Sequence, residues 1–90
     1  MTYDPNEQTE ILDLFRDMLA SVTADGGRKR AAGTKPHWTV DEGHEAAFWR
    51  HIDRWMNEEF VDKDSGAHPL IHVAWRALAI AYQEMKRGGR

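Results

Sequence analysis

A chain of 90 residues makes one small domain, which by area scaling buries only about 60–65% of its unfolded surface. With no Cys among those residues, disulfides, thiolate nucleophiles and Cys-based zinc sites are excluded. A net charge of −3 argues against a general polyanion binder.

No apolar run reaches about 18 residues and the N-terminus lacks a signal-peptide pattern, so the expectation is a soluble protein of the cytosol with no membrane partner. Four Trp, three Phe and two Tyr supply large apolar areas to a small core. Such a chain gains stability by self-association, and a homodimer or higher homo-oligomer is expected.

In chain order, Asp4-Pro5 opens a first helix predicted over about 5–24. Ile11, Leu12, Leu14, Phe15, Met18, Leu19 and Val22 recur at spacings of three and four as one core-facing stripe. Asp25-Gly26-Gly27 is read as its stop, and residues 25–39 as a loop with no apolar period. That loop carries Arg28, Lys29, Arg30 and Lys35, a basic stretch that is either solvated or phosphate-facing, and it ends at Trp38.

Thr39 or Asp41 caps a second helix over about 40–60. At about 100° per residue, Phe48, Trp49, Ile52, Trp55 and Met56 share one arc of roughly 120°, and Glu45 and Glu59 fall inside it. His44, Arg50, His51, Asp53 and Arg54 lie on the other side. A turn with Asp62, Asp64, Ser65 and Gly66 follows, and Pro69 fits the first turn of a third helix over about 68–86. Ile71, Val73, Ala74, Trp75, Leu78, Ile80 and Tyr82 make that helix apolar nearly all round, as expected of a central one. With no strand-like alternation, the fold class is all-α, a small domain of three helices.

Two acidic pairs flank the second helix, Glu42-x-x-Glu45 and Glu59-x-x-Asp62. Carboxylates on a core-facing arc need a cation, strong hydrogen bonds or a proton. One reading is a cage for Mg²⁺ or Mn²⁺, with Glu45 and Glu59 as principal ligands completed by Glu42 and Asp62. The other is a helix-dipole acid in the first turn and a solvated acid at a frayed end.

His68, His72 and Arg76, spaced by four, form a polar ridge on the third helix. It serves a core histidine and an arginine paired with an acid, or a substrate phosphate. Zinc on the two histidines lacks the HExxH pattern and a third ligand. No nucleophile elbow, Walker loop or GxGxxG run is present.

Asp41-Glu42-x-x-Glu45, then 13 residues, then Glu59-x-x-Asp62 resembles the EExxE…ExxD motif of the MazG-like all-α nucleoside triphosphate pyrophosphohydrolases. Arg50-His51, Glu59, Asp62, Ser65-Gly66 and His72 resemble more closely the small, phage-type dATP/dGTP diphosphohydrolase branch. The resemblance implies hydrolysis of a (deoxy)nucleoside triphosphate to monophosphate and pyrophosphate in a bacterial or phage-infected cytosol. It also implies Mg²⁺ or Mn²⁺ on Glu42, Glu45, Glu59 and Asp62, with Glu45 and Glu59 catalytic, and a MazG-like fold completed by homo-oligomerisation.

On that reading Lys35, Arg54, His72 and Arg76 meet the phosphates and Trp38 meets the base or serves as a hydrophobic anchor. The chain departs from the branch at Asn57-Glu58-Glu59, where Gly-Glu is commoner, and at Pro69 and Arg76. The alternative is a non-catalytic helical module that engages a host protein or a nucleotide. Nucleic-acid binding through the basic loop is disfavoured by the acidic balance.

Overall fold

The computed structural model describes residues 3–28, 38, 43–63 and 65–88. Its described elements are three helices, α1 (Pro5–Arg28), α2 (His44–Met56) and α3 (Pro69–Lys86), and no strand occurs among those residues. The all-α expectation holds. Lys35, Asp41, Glu42 and Asp64 lie outside the described residues.

Helices α1 and α3 start at their sequence signals, whereas α2 starts at His44 behind a left-handed Gly43 that makes no side-chain cap bond, and the expected caps Thr39 and Asp41 lie outside the described residues. At α1, Asp4 Oδ1 accepts the Asn6 N–H at 3.0 Å ahead of Pro5. At α3, His68 is the N-cap and its Nδ1 accepts the Leu70 N–H at 3.0 Å, with Pro69 buried behind it. Helix α1 runs through Asp25, Gly26 and Gly27, which were expected to stop it. The glycines cost about 1 kcal/mol each against Ala, but Val22 and Asp25 are buried, so packing at this end overrides propensity.

Helix α2 ends at Met56, short of the expected Glu59 or Phe60. Glu58 adopts φ 61°, its N–H bonds the Trp55 carbonyl at 3.0 Å, and the Glu59 N–H bonds the Arg54 carbonyl at 3.1 Å. That is a Schellman closure, whose left-handed residue is ordinarily Gly. Glu58 therefore holds, without a Gly, a left-handed position that Gly ordinarily takes. We expect Glu58→Gly to stabilise the fold by about 0.5–1 kcal/mol, read as a raised urea midpoint. An unchanged or lowered midpoint would contradict this account.

Helix α3 is the centre: α2 packs along it, α1 packs against it, and among the described residues α1 and α2 do not pack on each other. Val22, Trp75 and Ala79 are the buried nucleus, with Leu19, Trp38, Ala67 and Ile71 against it. The Trp75 indole N–H donates to Thr23 Oγ1 at 2.8 Å, and its ring stacks on Trp38 at 4.0 Å. Gln83 Nε2 donates to the Trp38 carbonyl at 2.8 Å, which fixes that residue to α3 as well.

Two stripes read as core-facing are not. On α1 only the C-terminal part packs, with Met18 and Leu19 half-buried and Val22 buried, while Ile11, Leu12, Leu14 and Phe15 are exposed. On α2 the buried residues are His44, Ala47 and His51, whereas Trp49 is 59% and Met56 70% exposed. The helix presents a histidine stripe to α3, because that stripe meets the polar ridge of His72 and Arg76. Of its larger apolar arc, Trp49, Trp55 and Met56 face outward while Phe48 and Ile52 are half-buried.

Candidate functional site

Because α1 and α2 both lie on α3 without closing on each other, a cavity of about 230 Å³ remains between them. Val22, Asp25 and Gly26 line it from α1, Arg50, His51 and Arg54 from α2, and His72, Trp75 and Arg76 from α3. Asp62, in the α2–α3 turn, closes one side. Three guanidinium groups and two imidazoles thus converge on one small space.

The turn holds its own polar network. Asp62 Oδ1 accepts the Ser65 N–H at 2.9 Å and the Ser65 hydroxyl at 3.2 Å, while Oδ2 accepts from Arg54 Nη1 at 3.2 Å. The Asp62 N–H donates to the Ala67 carbonyl at 2.7 Å, and the Gly66 N–H donates to the Asp62 carbonyl at 2.8 Å. Gly66 supplies the required φ of 75°.

Ser65 Oγ also accepts from the Ala67 N–H at 3.2 Å and lies 2.6 Å from His72 Nε2. With its own proton directed to Asp62, Ser65 accepts from His72, so the proton of that imidazole sits on Nε2. Ser65 and Asp62 both face this nitrogen, Asp62 Oδ1 at 3.9 Å. A nucleophilic triad needs them on opposite nitrogens, so Ser65 is a positioning group here and not a nucleophile.

His51 stacks on His72 with ring centroids 4.5 Å apart, and its Nδ1 is buried with no hydrogen-bond partner among the described residues. Burial, followed by the charges of His72, Arg54, Arg50 and Arg76, lowers its pKa from 6.5 to about 4. A neutral ring under three arginines is the outcome of that crowding.

The unfolded chain therefore binds a proton that the folded chain resists between pH 6.5 and about 4. Stability is intact above pH 6.5 and falls as pH drops through that window, by about 1–2 kcal/mol after allowance for solvent screening at the rim. Urea unfolding of wild type and His51→Gln at neutral and acid pH checks this. The variant should lose less stability on acidification, and equal losses would contradict it.

Arg76 Nη1 donates to His44 Nδ1 at 2.9 Å, and its guanidinium carbon lies 5.1 Å from the Trp75 ring centre. His44 is buried, so this arginine–histidine bond joins α2 to α3 inside the packed contact between them. His68 leaves the ridge: it caps α3 and its ring lies 6.0 Å from Phe60.

The sequence-predicted site residues separate into groups. Arg54, His72 and Arg76 come together in the cavity. Trp38 packs on Trp75 as an anchor. Glu45 is exposed in the first turn of α2, and Glu59 is exposed beyond its end, beside Arg54, Asp62 and Lys63.

The rise from residue 45 to residue 56 alone is about 16 Å, so Glu45 and Glu59 of one chain do not reach one ion. Asp62 is committed to Arg54 and Ser65, and among the described residues no three His, Asp or Glu side chains converge as a metal would require. Glu42, the remaining acid of the expected set, lies outside the described residues.

Arg50 and His51 were placed on the outer face because α2 was oriented by its largest apolar arc. The recurrence of His44, Ala47, His51 and Arg54 at spacings of three and four was the available signal for the true inner face. Asp25, read as a helix stop, continues the α1 packing stripe three residues after Val22.

Among the described residues no helix is long and apolar enough to cross a membrane. No curated protein and no solved structure matches the chain. The family model for the N-terminal domain of dATP/dGTP diphosphohydrolases matches residues 14–89, a span that takes in all of the cavity and its supporting turn. This chain belongs to the dATP/dGTP diphosphohydrolase N-terminal-domain family.

Proposed function

We propose that the cavity between α1 and α2 binds the phosphate tail of a deoxynucleoside triphosphate, and that the chain hydrolyses it to monophosphate and pyrophosphate. The observation that carries this reading is the convergence of Arg50, Arg54 and Arg76 on one small cavity in a member of this family. At about 230 Å³ the space is smaller than the roughly 300–1,000 Å³ of sites that enclose a whole ligand, so it suits phosphates and leaves the nucleoside outside.

Guanidinium groups bind phosphate oxygens through paired N–H donors and stabilise charge that builds on a phosphoryl group. Arg76 donates to His44 and lies over the Trp75 ring, which limits where its guanidinium points. Arg54 reaches the cavity while paired with Asp62, so phosphate binding would draw on a side chain already oriented. His72, with its proton fixed on Nε2 by Ser65, supplies an imidazole of defined tautomer at the same wall. Mg²⁺ or Mn²⁺, expected from the acidic motifs, enters the test as a variable.

Purified protein is incubated with each deoxynucleoside and ribonucleoside triphosphate in EDTA, Mg²⁺ or Mn²⁺, and monophosphate and pyrophosphate are resolved. Wild type is expected to release both products from dATP or dGTP, and Arg54→Gln and Arg76→Gln to lower kcat/KM by about 100-fold or more. No product from a folded sample with any nucleotide or metal would overturn the enzymatic reading in favour of a non-catalytic binding module.

A further inference from the structure

One wall of the cavity holds a polar group that its own chain does not satisfy. His51 is 6% exposed and lines the cavity, yet its Nδ1 has no hydrogen-bond partner among the described residues. Its ring stacks on that of His72 with 19° between the planes, and His72 has Nε2 committed to Ser65. A proton added at His51 Nδ1 therefore displaces no hydrogen bond within the described residues.

The charged and titratable groups that face the cavity with it are Asp25 from α1, Arg50 and Arg54 from α2, Asp62 from the turn, and His72 and Arg76 from α3. Three guanidinium groups outweigh two carboxylates, and Asp62 is itself held by Arg54. Burial together with this positive surplus keeps the His51 ring neutral. An oxyanion in so small a space reverses the sign of the local field. An opposite charge at about 4–6 Å moves a titration midpoint by about 1–3 units toward the charged form.

We infer that His51 is a further ligand-binding residue of the cavity: an oxyanion held there by Arg50, Arg54 and Arg76 recruits a proton to Nδ1 and is bound by His51 as an imidazolium. The ligand class is a phosphate, and recruitment of the proton rests on the reading of the cavity as a phosphate site but not on hydrolysis. Binding and proton uptake are then one event, so affinity rises as pH falls. A water at Nδ1 would satisfy the same atom and leave the ring neutral, which makes the protonation state of the bound form decisive.

Sulfate is the probe, because it has no ionisable proton between about pH 5 and pH 8 and any proton taken up belongs to the protein. Ring nitrogen shifts of His51 are followed across that range with and without sodium sulfate, with chloride holding the ionic strength constant. Without sulfate the ring should stay largely neutral, and at saturating sulfate both its nitrogens should carry protons at about pH 5. A shift of about two units makes sulfate bind about tenfold tighter at pH 5 than at pH 7.5. His51→Gln should still bind sulfate and lose that dependence. A ring that stays neutral in the sulfate complex, or a pH dependence kept in His51→Gln, would overturn the proposal and leave the phosphate site standing. No sulfate binding at any pH would overturn both.

Discussion

Trp75→Ala is expected to lower stability by about 3–5 kcal/mol, which for a domain of this size shifts the melting temperature by more than about 12 °C or abolishes the cooperative transition. Trp75 is 1% exposed and is the side chain on which separate parts of the chain meet. Its indole N–H reaches Thr23 on α1, its ring stacks on Trp38, and His44 at the start of α2 lies 5.9 Å from it. Since among the described residues α1 and α2 do not pack on each other, deleting this ring removes what they share.

Trp75→Phe should recover most of the loss, keeping the stack and giving up one hydrogen bond of about 1 kcal/mol. Trp49→Ala, at a site 59% exposed, gives the contrast, with a change within about 0.5 kcal/mol expected. Thermal and urea unfolding of the three variants checks the ranking. Equal effects of Trp75→Ala and Trp49→Ala would contradict it.

The second large effect is at Asp62. Asp62→Ala is expected to cost about 2–3 kcal/mol in EDTA, because the Ser65 N–H and hydroxyl and the Arg54 guanidinium lose their common acceptor. A carboxylate kept only to bind an ion behaves oppositely: in the absence of metal its removal relieves repulsion and leaves stability equal or higher. The sign of the change in EDTA therefore separates an organising role from a purely metal-binding one.

Nitrogen chemical shifts of the His72 ring give a second readout. In wild type the proton sits on Nε2, held by Ser65 at 2.6 Å, and in Asp62→Ala or Ser65→Ala that preference should fade. A tautomer unchanged in both variants would remove Ser65 and Asp62 as positioning groups.

Much of the fold was legible from sequence for local reasons. Asp4-Pro5 and His68-Pro69 start helices because a side-chain acceptor followed by proline satisfies the first turn wherever it occurs. The apolar content of α3 marked it as the helix that others cover, and both α1 and α2 do pack on it. The motif around Glu59, Asp62, Ser65-Gly66 and His72 pointed to the family that matches residues 14–89.

The end of α2 was less legible, since Glu58 occupies a left-handed position without the Gly that would announce it. The candidate site was only half visible. Arg54, His72 and Arg76 were named, but Arg50 and His51 were assigned to solvent because periodicity identifies the most apolar face of a helix and not the face its own chain covers.

The sequence by itself determined where α1 and α3 begin, which helix is central, and which family the chain joins, because capping, periodicity and motif spacing are properties of neighbouring residues. Tertiary structure alone decided that the histidine face of α2 turns inward, that α1 overruns its glycines, and that Asp62 is spent on Arg54 and Ser65. Those outcomes depend on what a side chain meets across the fold: α3 offers Trp75, His72 and Arg76 in one row, and the best partner for that row was the polar stripe of α2.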